Sequence, residues 1–501
     1  MRNEFPDEKS ILYLRETRRG SEHYHLHAID IESLFDGSNT VDLNDRNLIQ
    51  DPNTVCAMGF VGGIQLWTVP PESSFSHRTV FVSTARRGPF AMFWDISRID
   101  IDTGECVLVE QNIMSTWPGR IRFVVGSLLS MAASWLSTIL SKLPFMGGVA
   151  AALKIEPPGI PLQWFPDDQL QFRGRMEVNL NLGPSFCVRG RGCEHDQKWK
   201  SLHAVPFEDT NLQLIGSTGG SGLAMMQFSP YIDDDADSDT VDIHLCAFGE
   251  GKNVSDTTTY ERFDVKTGHH ICRLASNPSS DISGFVVHPM TRQVQCVTYE
   301  CEKPMTEILC KGGKEVEHLR FAADLKYIQS FFEPAMTFQI LSRTCRDDAW
   351  VIYGESDVGQ ECCQGSPGGY FLFTRTEERS SSSGKLSQTQ QTSYERRIEL
   401  IFPSRPELSQ YQLAKMEPVH IQARDGEDLL CFLSSPPAFT STPADDKSAA
   451  APPPLIMVIH GGPQVRPSVF FHGIICQRTC SDAPFSYPHL CFSLGPRYME
   501  I

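Results

Sequence analysis

The chain has 501 residues, 41% of them hydrophobic and 21% charged, which excludes global disorder and collagen-like repeats. Its 44 basic and 61 acidic residues give a net charge of −17, and no concentrated basic patch offsets it, so we expect no nucleic-acid partner. The 16 cysteines form no Cys-x-x-Cys pair, and the N-terminus has no apolar signal core. We therefore expect reduced thiols in a cytoplasmic protein, with no metal site and no cofactor.

Short runs of β-branched and aromatic residues, separated by turn residues, dominate positions 1–405. Representative runs are Ile11–Arg15, Thr79–Ser83, Val241–Ala247, Val294–Tyr299 and Trp350–Tyr353. Such runs are typical of β-strands, and long helical periodicity is scarce in this part of the chain. The pattern predicts an all-β domain over residues 1–405.

Two predicted hairpins share the same turn. Residues 99–108 and 263–272 each contain an alternating strand, a Thr-Gly pair and a second strand. Gly provides the positive φ that such a turn needs. Thr103 and Thr267 lie 164 positions apart, about four units of roughly 40 residues, the period of propeller blades. We expect a β-propeller-like domain of seven or eight blades, since one sandwich needs only about 100 residues.

One segment, Phe123–Ser141, interrupts the β pattern with 19 uncharged residues. Its serines, at positions 127, 130, 134, 137 and 141, alternate spacings of three and four and so form one stripe of a helix. The sequence therefore predicts a helical insertion at about residues 113–160. A helix packed on the domain is favoured over membrane contact through residues 123–141, either interfacial or spanning, and over an insertion without a structural role.

The C-terminal part contains the pattern with the most chemical content. The apolar run Leu455–Ile459 predicts a buried strand of a parallel sheet, and it leads directly into His460-Gly461-Gly462-Pro463. Glycines at the end of such a strand leave backbone N–H groups free to stabilise a developing oxyanion. The alternative is an ordinary strand-to-loop turn in which the glycines serve conformation only.

Residues 411–436 and 455–463 resemble the start of the catalytic domain of prolyl-oligopeptidase-family serine peptidases, which include acylaminoacyl peptidases and dipeptidyl aminopeptidases. Upstream stretches, among them 164–173 and 282–289, resemble the N-terminal propeller of the same family. The resemblance implies hydrolysis of short peptides. It also implies that Gly461 and Gly462 contribute oxyanion-hole backbone, while His460 and Pro463 shape the loop.

The chain also departs from that family. It contains no Gly-x-Ser-x-Gly nucleophile motif, and only 38 residues follow Pro463. Pro484, Pro488 and Pro496 interrupt the tail, which therefore fits poorly to the helix and strand expected next. Cys431 stands where relatives usually carry Gly. We expect residues 406–501 to be the truncated start of an α/β-hydrolase domain, without nucleophile, Asp or His of a triad, and so without catalytic residues.

Several alternatives remain open. Cys476 and Cys480 lie near His472 and His489 in sequence, so a Cys-His pair is conceivable, although an incidental spacing is favoured. The chain alone is expected to be inactive, with short peptides as partners of a complete enzyme. It is otherwise a non-catalytic β-propeller interaction module, or the incomplete gene product of an active peptidase. The sequence does not determine the oligomeric state.

Overall fold

The structure is a computed structural model, and it describes most of the chain. The described residues are 10–17, 23–30, 45–57, 66–69, 75–76, 78–87, 93–142, 158–178, 184–191, 199–204, 226–229, 239–245, 255, 257–288, 293–300, 302, 304–309, 316–344, 346–377, 394–424, 426, 428–435, 455–459 and 490–494.

The chain forms two compact units. The first comprises Met1–Gly284 and Met290–Val294, and the second comprises Phe285–Pro289 and Gln295–Ile501. The sequence places a domain boundary between residues 405 and 406, on the basis of the family resemblance. This boundary differs from the division into two units, and it stays a prediction.

The first unit begins with an eight-stranded antiparallel sheet. Its strands are β1 (Ser10–Glu16), β2 (His23–Asp30), β3 (Arg46–Asn47), β4 (Thr54–Ala57), β5 (Leu66–Thr68), β6 (Thr79–Arg86), β7 (Asp95–Asp100) and β8 (Cys106–Glu110). The order is β1-β2-β4-β6-β7-β8, with β3 paired to β2 and β5 paired to β6. Strand β6 lies inside the sheet, and its residues from Thr79 to Ala85 are buried, as the continuous apolar and small-residue run predicts.

A helix and two four-stranded antiparallel sheets complete the first unit. The elements are α1 (Trp117–Ser141), β9 (Ile160–Pro166), β10 (Phe172–Val178), β11 (Pro184–Val188), β12 (Lys200–Ala204), β13 (Met226–Phe228), β14 (Thr240–Leu245), β15 (Thr259–Asp264) and β16 (His270–Ser276). The sheet orders are β12-β11-β10-β9 and β13-β14-β15-β16. Met176 and Phe186 of one sheet share a buried core with Ile243 and Phe263 of the other. The apolar faces of two successive sheets therefore pack together.

The remaining described strands form three sheets. A second helix lies between the first two of these sheets in the order of the chain. The elements are β17 (Ile282–Val287), β18 (Val294–Glu300), β19 (Pro304–Ile308), α2 (Val316–Phe332), β20 (Thr337–Arg343), β21 (Ala349–Glu355), β22 (Gly368–Glu377), β23 (Tyr394–Pro403), β24 (Met416–Gln422), β25 (Asp428–Ser434), β26 (Leu455–Ile459) and β27 (Leu490–Leu494). The orders are β17-β18-β19, β20-β21-β22-β23 and β24-β25-β27-β26. The predicted mostly β fold of repeated antiparallel sheets is confirmed, and the number of blades stays a prediction.

The two Thr-Gly hairpins have the same turn geometry, as predicted. Asp100 Oδ1 accepts hydrogen bonds from the Thr103 backbone N–H at 2.8 Å and from its hydroxyl at 2.9 Å. Asp264 Oδ1 accepts the equivalent bonds from Thr267 at 2.6 and 2.7 Å. The glycines that follow, Gly104 and Gly268, have φ values of 71° and 77°.

The number of repeat units between these hairpins stays a prediction. The hairpins close the first and the third of the sheets, and one sheet, β9–β12, lies between them among the described residues. Helix α1, with 25 residues, also lies in this interval and adds length without adding strands.

Helix α1 confirms the predicted helical insertion, although it begins six residues before the uncharged run. Thr116 caps its N-terminus by accepting a hydrogen bond from the Gly119 N–H at 3.2 Å, and Pro118 lies in the first turn. Ser127 and Ser130 of the serine stripe are buried. Ser134, in the same stripe, is exposed, so only part of the small polar face is covered.

Helix α2 was not predicted. Four large apolar residues recur on one face at helical spacing, Phe321, Leu325, Ile328 and Phe332, and all four are buried in a core with Trp350. Polar and charged residues between them lower the mean hydropathy of this segment. The segment therefore contains no long apolar run that would indicate a helix.

Candidate functional site

The sheet β24–β27 positions the residues with predicted chemistry. Its first two strands form a hairpin, with Gln422 paired to Asp428. Gly426 has a φ of 93°, and its N–H donates to the Ala423 carbonyl at 3.1 Å. Because L-residues rarely adopt this φ, the glycine fixes where the hairpin reverses.

Strands β26 and β27 are parallel, whereas the other strand pairs of this sheet are antiparallel. Leu455 pairs with Leu490, and Ile459 pairs with Leu494. Strand β27 also pairs with β25 on its other side, with Cys431 opposite Leu494. Parallel neighbours require a long crossover connection, and residues 460–489 provide 30 positions for it. Strand β26, the third strand of this sheet in the order of the chain, thus lies at the edge of the sheet next to β27.

Sequence reasoning missed β27. The run Leu-Cys-Phe-Ser-Leu at 490–494 alternates large and small residues and is bounded by Pro488 and Pro496. Prolines at both ends are compatible with a five-residue strand, because they lie outside the paired positions. The expectation that the tail continues poorly into a strand was therefore wrong for these residues, since they pair on both sides.

The predicted oxyanion-loop residues follow β26 directly. His460, Gly461, Gly462 and Pro463 lie outside the described residues, and so do the cysteines and histidines of the conceivable Cys-His pair. The structure places the strand end from which the loop starts, at the carboxyl edge of a parallel strand pair. In sheets with parallel strands this edge is where binding and catalytic groups collect.

His420, on β24, is the titratable group of this sheet with the most extensive partners. Its Nδ1 lies 2.5 Å from Asp428 Oδ2, and its Nε2 lies 2.6 Å from Glu302 Oε1. Hydrogen bonds from the imidazole to the Glu302 and Asp428 carboxylates raise the pKa of His420 above its usual value. Because both ring nitrogens contact carboxylates, the His420 imidazole does not present a free nitrogen to a nucleophile.

Cys431 lies in the middle of the same sheet and is fully buried. Its Sγ is 3.6 Å from the Leu429 carbonyl oxygen, and burial raises the pKa of the thiol. A buried thiol with a raised pKa is a poor nucleophile. Cys431 is thus a small apolar residue of the sheet core. Within the described residues, no group of three or more His, Cys, Asp or Glu side chains is placed to bind a metal.

No family model matches the chain. A curated relative, dipeptidyl aminopeptidase BIII from Pseudoxanthomonas mexicana, is 23% identical over 276 residues, which cover 55% of this chain and 31% of the relative. The match thus spans about a third of that relative's length.

Two solved structures are similar over nearly the whole chain. Prolyl oligopeptidase B from Galerina marginata aligns with a TM-score of 0.47 at 11% identity, over 98% of this chain and 52% of that one. Dipeptidyl peptidase 4 from Porphyromonas gingivalis aligns with a TM-score of 0.44 at 10% identity, over 97% and 62%. The curated relative confirms the resemblance to prolyl-oligopeptidase-family peptidases that the sequence indicates.

Proposed function

We propose that this chain forms the propeller-like part and the beginning of the hydrolase domain of a serine peptidase that acts on short peptides. The propeller-like domain would comprise residues 1–405, and residues 406–501 would begin the α/β-hydrolase domain. One observation supports this most strongly: in sequence, His-Gly-Gly-Pro directly follows the third strand of a sheet in which that strand has a parallel neighbour. In α/β-hydrolases, one N–H of the oxyanion hole comes from the loop after the third strand.

The chemistry of this loop would be electrostatic. Gly461 and Gly462 would direct backbone N–H groups at the oxygen of a peptide carbonyl as it gains charge, while His460 and Pro463 would hold the loop in shape. Glycine suits this role because no side chain blocks the approach of the substrate. Removal of one such donor typically lowers kcat by about 10²–10³.

We propose further that these 501 residues do not hydrolyse peptides by a triad. No Gly-x-Ser-x-Gly sequence is present, and the nearest approximation, Gly219–Leu223, ends in Leu and lies outside the described residues. When a nucleophile or base is lost, only the oxyanion hole and substrate binding remain, and about 10³–10⁴ over the uncatalysed rate is then the ceiling.

Reaction of the purified 501-residue chain with a fluorophosphonate probe tests this proposal. We expect no stoichiometric labelling, and no faster hydrolysis of dipeptidyl or acylaminoacyl chromogenic substrates than in a heat-denatured sample. A complete serine peptidase labelled in parallel shows that the probe is active. Labelling of one serine per chain would contradict the proposal, and mass spectrometry would identify that serine.

A second candidate, a non-catalytic β-propeller interaction module, is favoured by the same missing motif. Sequencing of the full transcript separates the two. A reading frame that continues past Ile501 into a Gly-x-Ser-x-Gly motif supports the peptidase, whereas an in-frame stop supports the interaction module.

A further inference from the structure

Helix α1 exposes an apolar surface that no other described helix exposes. Ten large apolar side chains along it are at least two-fifths exposed, including Trp117 at 70% and Trp135 at 69%. They are Trp117, Ile121, Val124, Val125, Leu128, Leu129, Met131, Trp135, Leu136 and Ile139. Among the described residues, α1 is the one helix that is long and apolar enough to cross a bilayer. Exposed apolar area of this extent indicates an interaction surface.

The opposite face of α1 is attached to the protein. Ser127, Ser130 and Ala133 are buried there, and a Cβ on Gly126 would lie 3.0 Å from Pro158 Cγ. The residues just before and just after the insertion are also hydrogen-bonded to each other, since Asn112 Nδ2 donates to the Pro161 carbonyl at 2.7 Å. The middle of α1 therefore packs against the residues that follow the insertion, and the chain enters and leaves the insertion at one place. This arrangement fits a helix in the plane of a membrane surface, not one that crosses the membrane.

The width of the apolar face also distinguishes between partners. At 3.6 residues per turn, the ten side chains spread over an arc of about 160°. A second helix covers a narrow stripe of positions and is usually flanked by charges of both signs. The layer of lipid headgroups and acyl chains accepts the whole width of such an arc.

Charge around α1 complements an anionic surface. Residues 111–155 contain no Asp or Glu, although the chain as a whole carries −17. Arg120 and Arg122 lie at the two edges of the apolar arc, and Lys142 follows the last turn. Basic side chains can reach lipid phosphates while their stems stay in apolar contact, and tryptophan is the aromatic residue typical of that interface.

We propose that α1 docks the protein onto a lipid bilayer, in the plane of the interface. The apolar arc from Trp117 to Ile139 would enter the boundary of the acyl chains, and Arg122 and Lys142 would contact headgroup phosphates. This docking does not depend on the proposed peptidase function, because none of its residues belongs to the sheet β24–β27.

Vesicle flotation of the full chain tests the proposal, with vesicles of phosphatidylcholine and a minor fraction of phosphatidylglycerol. The variant Leu128→Glu/Trp135→Glu places two charges on the arc. The matched control, Leu319→Glu/Ile401→Glu, replaces two equally exposed apolar residues on other elements. We expect the wild type and the control to float, and the arc variant to bind about tenfold or more weakly. Both variants change exposed side chains, so far-UV circular dichroism should match the wild type.

Quenching by brominated lipids provides a second measurement on the unmodified arc. Fluorescence of the wild type should be quenched by bromines near the headgroup end of the acyl chains, and the quenching should fall in Trp117→Phe/Trp135→Phe. The proposal is overturned if the wild type fails to float, or if the arc variant floats as well as the wild type. It is also overturned if sedimentation shows a wild-type dimer that the arc variant dissociates, because a second copy would then cover the arc.

Discussion

Helices α1 and α2 are both long helices in a β-rich chain, but α2 buries most of its large apolar residues, whereas α1 exposes most of its own. In α2, Phe321 and Phe332 are buried, and the Phe321 ring stacks on Trp350 at a centroid distance of 5.6 Å. In α1, Leu128 and Trp135 face outward. The segment with the higher hydropathy is therefore the less buried one. Hydropathy reports how much apolar surface a helix has, whereas neighbouring sheets decide which surface is covered.

The two helices also differ in how they handle charge. α2 carries Asp324 on its buried side, where the carboxylate accepts from Arg396 Nε at 2.7 Å and contacts the Arg375 guanidinium. Arg375 and Arg396 come from β22 and β23, so these ion pairs attach α2 to that sheet. The charges next to α1 lie at the edges of its exposed arc.

The sharpest test of this contrast is one pair of truncations. We expect Phe321→Ala to lower the free energy of unfolding by about 3–5 kcal/mol, because the cavity lies in a packed core. Leu128→Ala should change it by about 0.5 kcal/mol or less, since Leu128 is 56% exposed. Urea unfolding monitored by circular dichroism measures both. Equal losses in the two variants would refute the difference in burial.

Removal of the buried carboxylate should have a similar or slightly smaller effect. Asp324→Asn leaves two largely buried guanidinium groups without their anion, so we expect a loss of about 3–5 kcal/mol in unfolding free energy. The control Glu399→Gln removes one partner of the exposed pair with Arg397 and should cost about 0–1 kcal/mol. The same unfolding assay applies, and a control loss as large as that of Asp324→Asn would contradict the assignment.

The sheet that packs on α2 should also show a pH dependence. Burial raises the pKa of Glu355, at the end of β21, to about 7, from an ordinary value of 4.5. Between these values the folded state binds more protons than the unfolded state, so this group makes the protein more stable as pH falls from 8 to 5.

Glu355→Gln removes that contribution. Because the side chain is partly exposed, we expect the variant to be more stable than wild type at pH 8 by about 1–2 kcal/mol. Most of that advantage should vanish at pH 5, where Glu355 is protonated in the folded wild type. The difference in unfolding free energy between wild type and variant at pH 5 is therefore the control for the difference at pH 8. An advantage that grows on acidification would show that the carboxyl is not buried as described.

Local sequence signals predicted the local structure well. The Asp and Thr-Gly residues at 100–104 and 264–268 determine their turns by side-chain hydrogen bonds within five residues, and the serine stripe predicted the existence of α1. Helix α2 was missed because polar and charged residues between its four buried apolar residues lower its mean hydropathy. Strand β27 was missed because its partners lie 35 and about 60 residues away in sequence.

The candidate site was only partly accessible from sequence. The strand Leu455–Ile459 was predicted, and it is present. The parallel neighbour, which makes the end of that strand suited to an oxyanion loop, depends on residues 490–494. No short sequence pattern around His460 predicts that β26 pairs with β27.

Amide hydrogen exchange across β26 and β27 tests most directly whether the glycine loop starts from a paired parallel strand. The hairpin β24–β25 of the same chain is the internal reference. We predict that the peptide covering Cys491–Ser493 exchanges slowly, at a rate comparable with that of residues 429–433, because β27 is paired on both sides. The peptide covering Ile456–Val458, on the edge strand, should be protected less but still more than an unstructured peptide. If residues 490–494 exchange as fast as an unstructured peptide while residues 429–433 stay protected, the parallel pair does not form, and the proposed hydrolase entry is wrong.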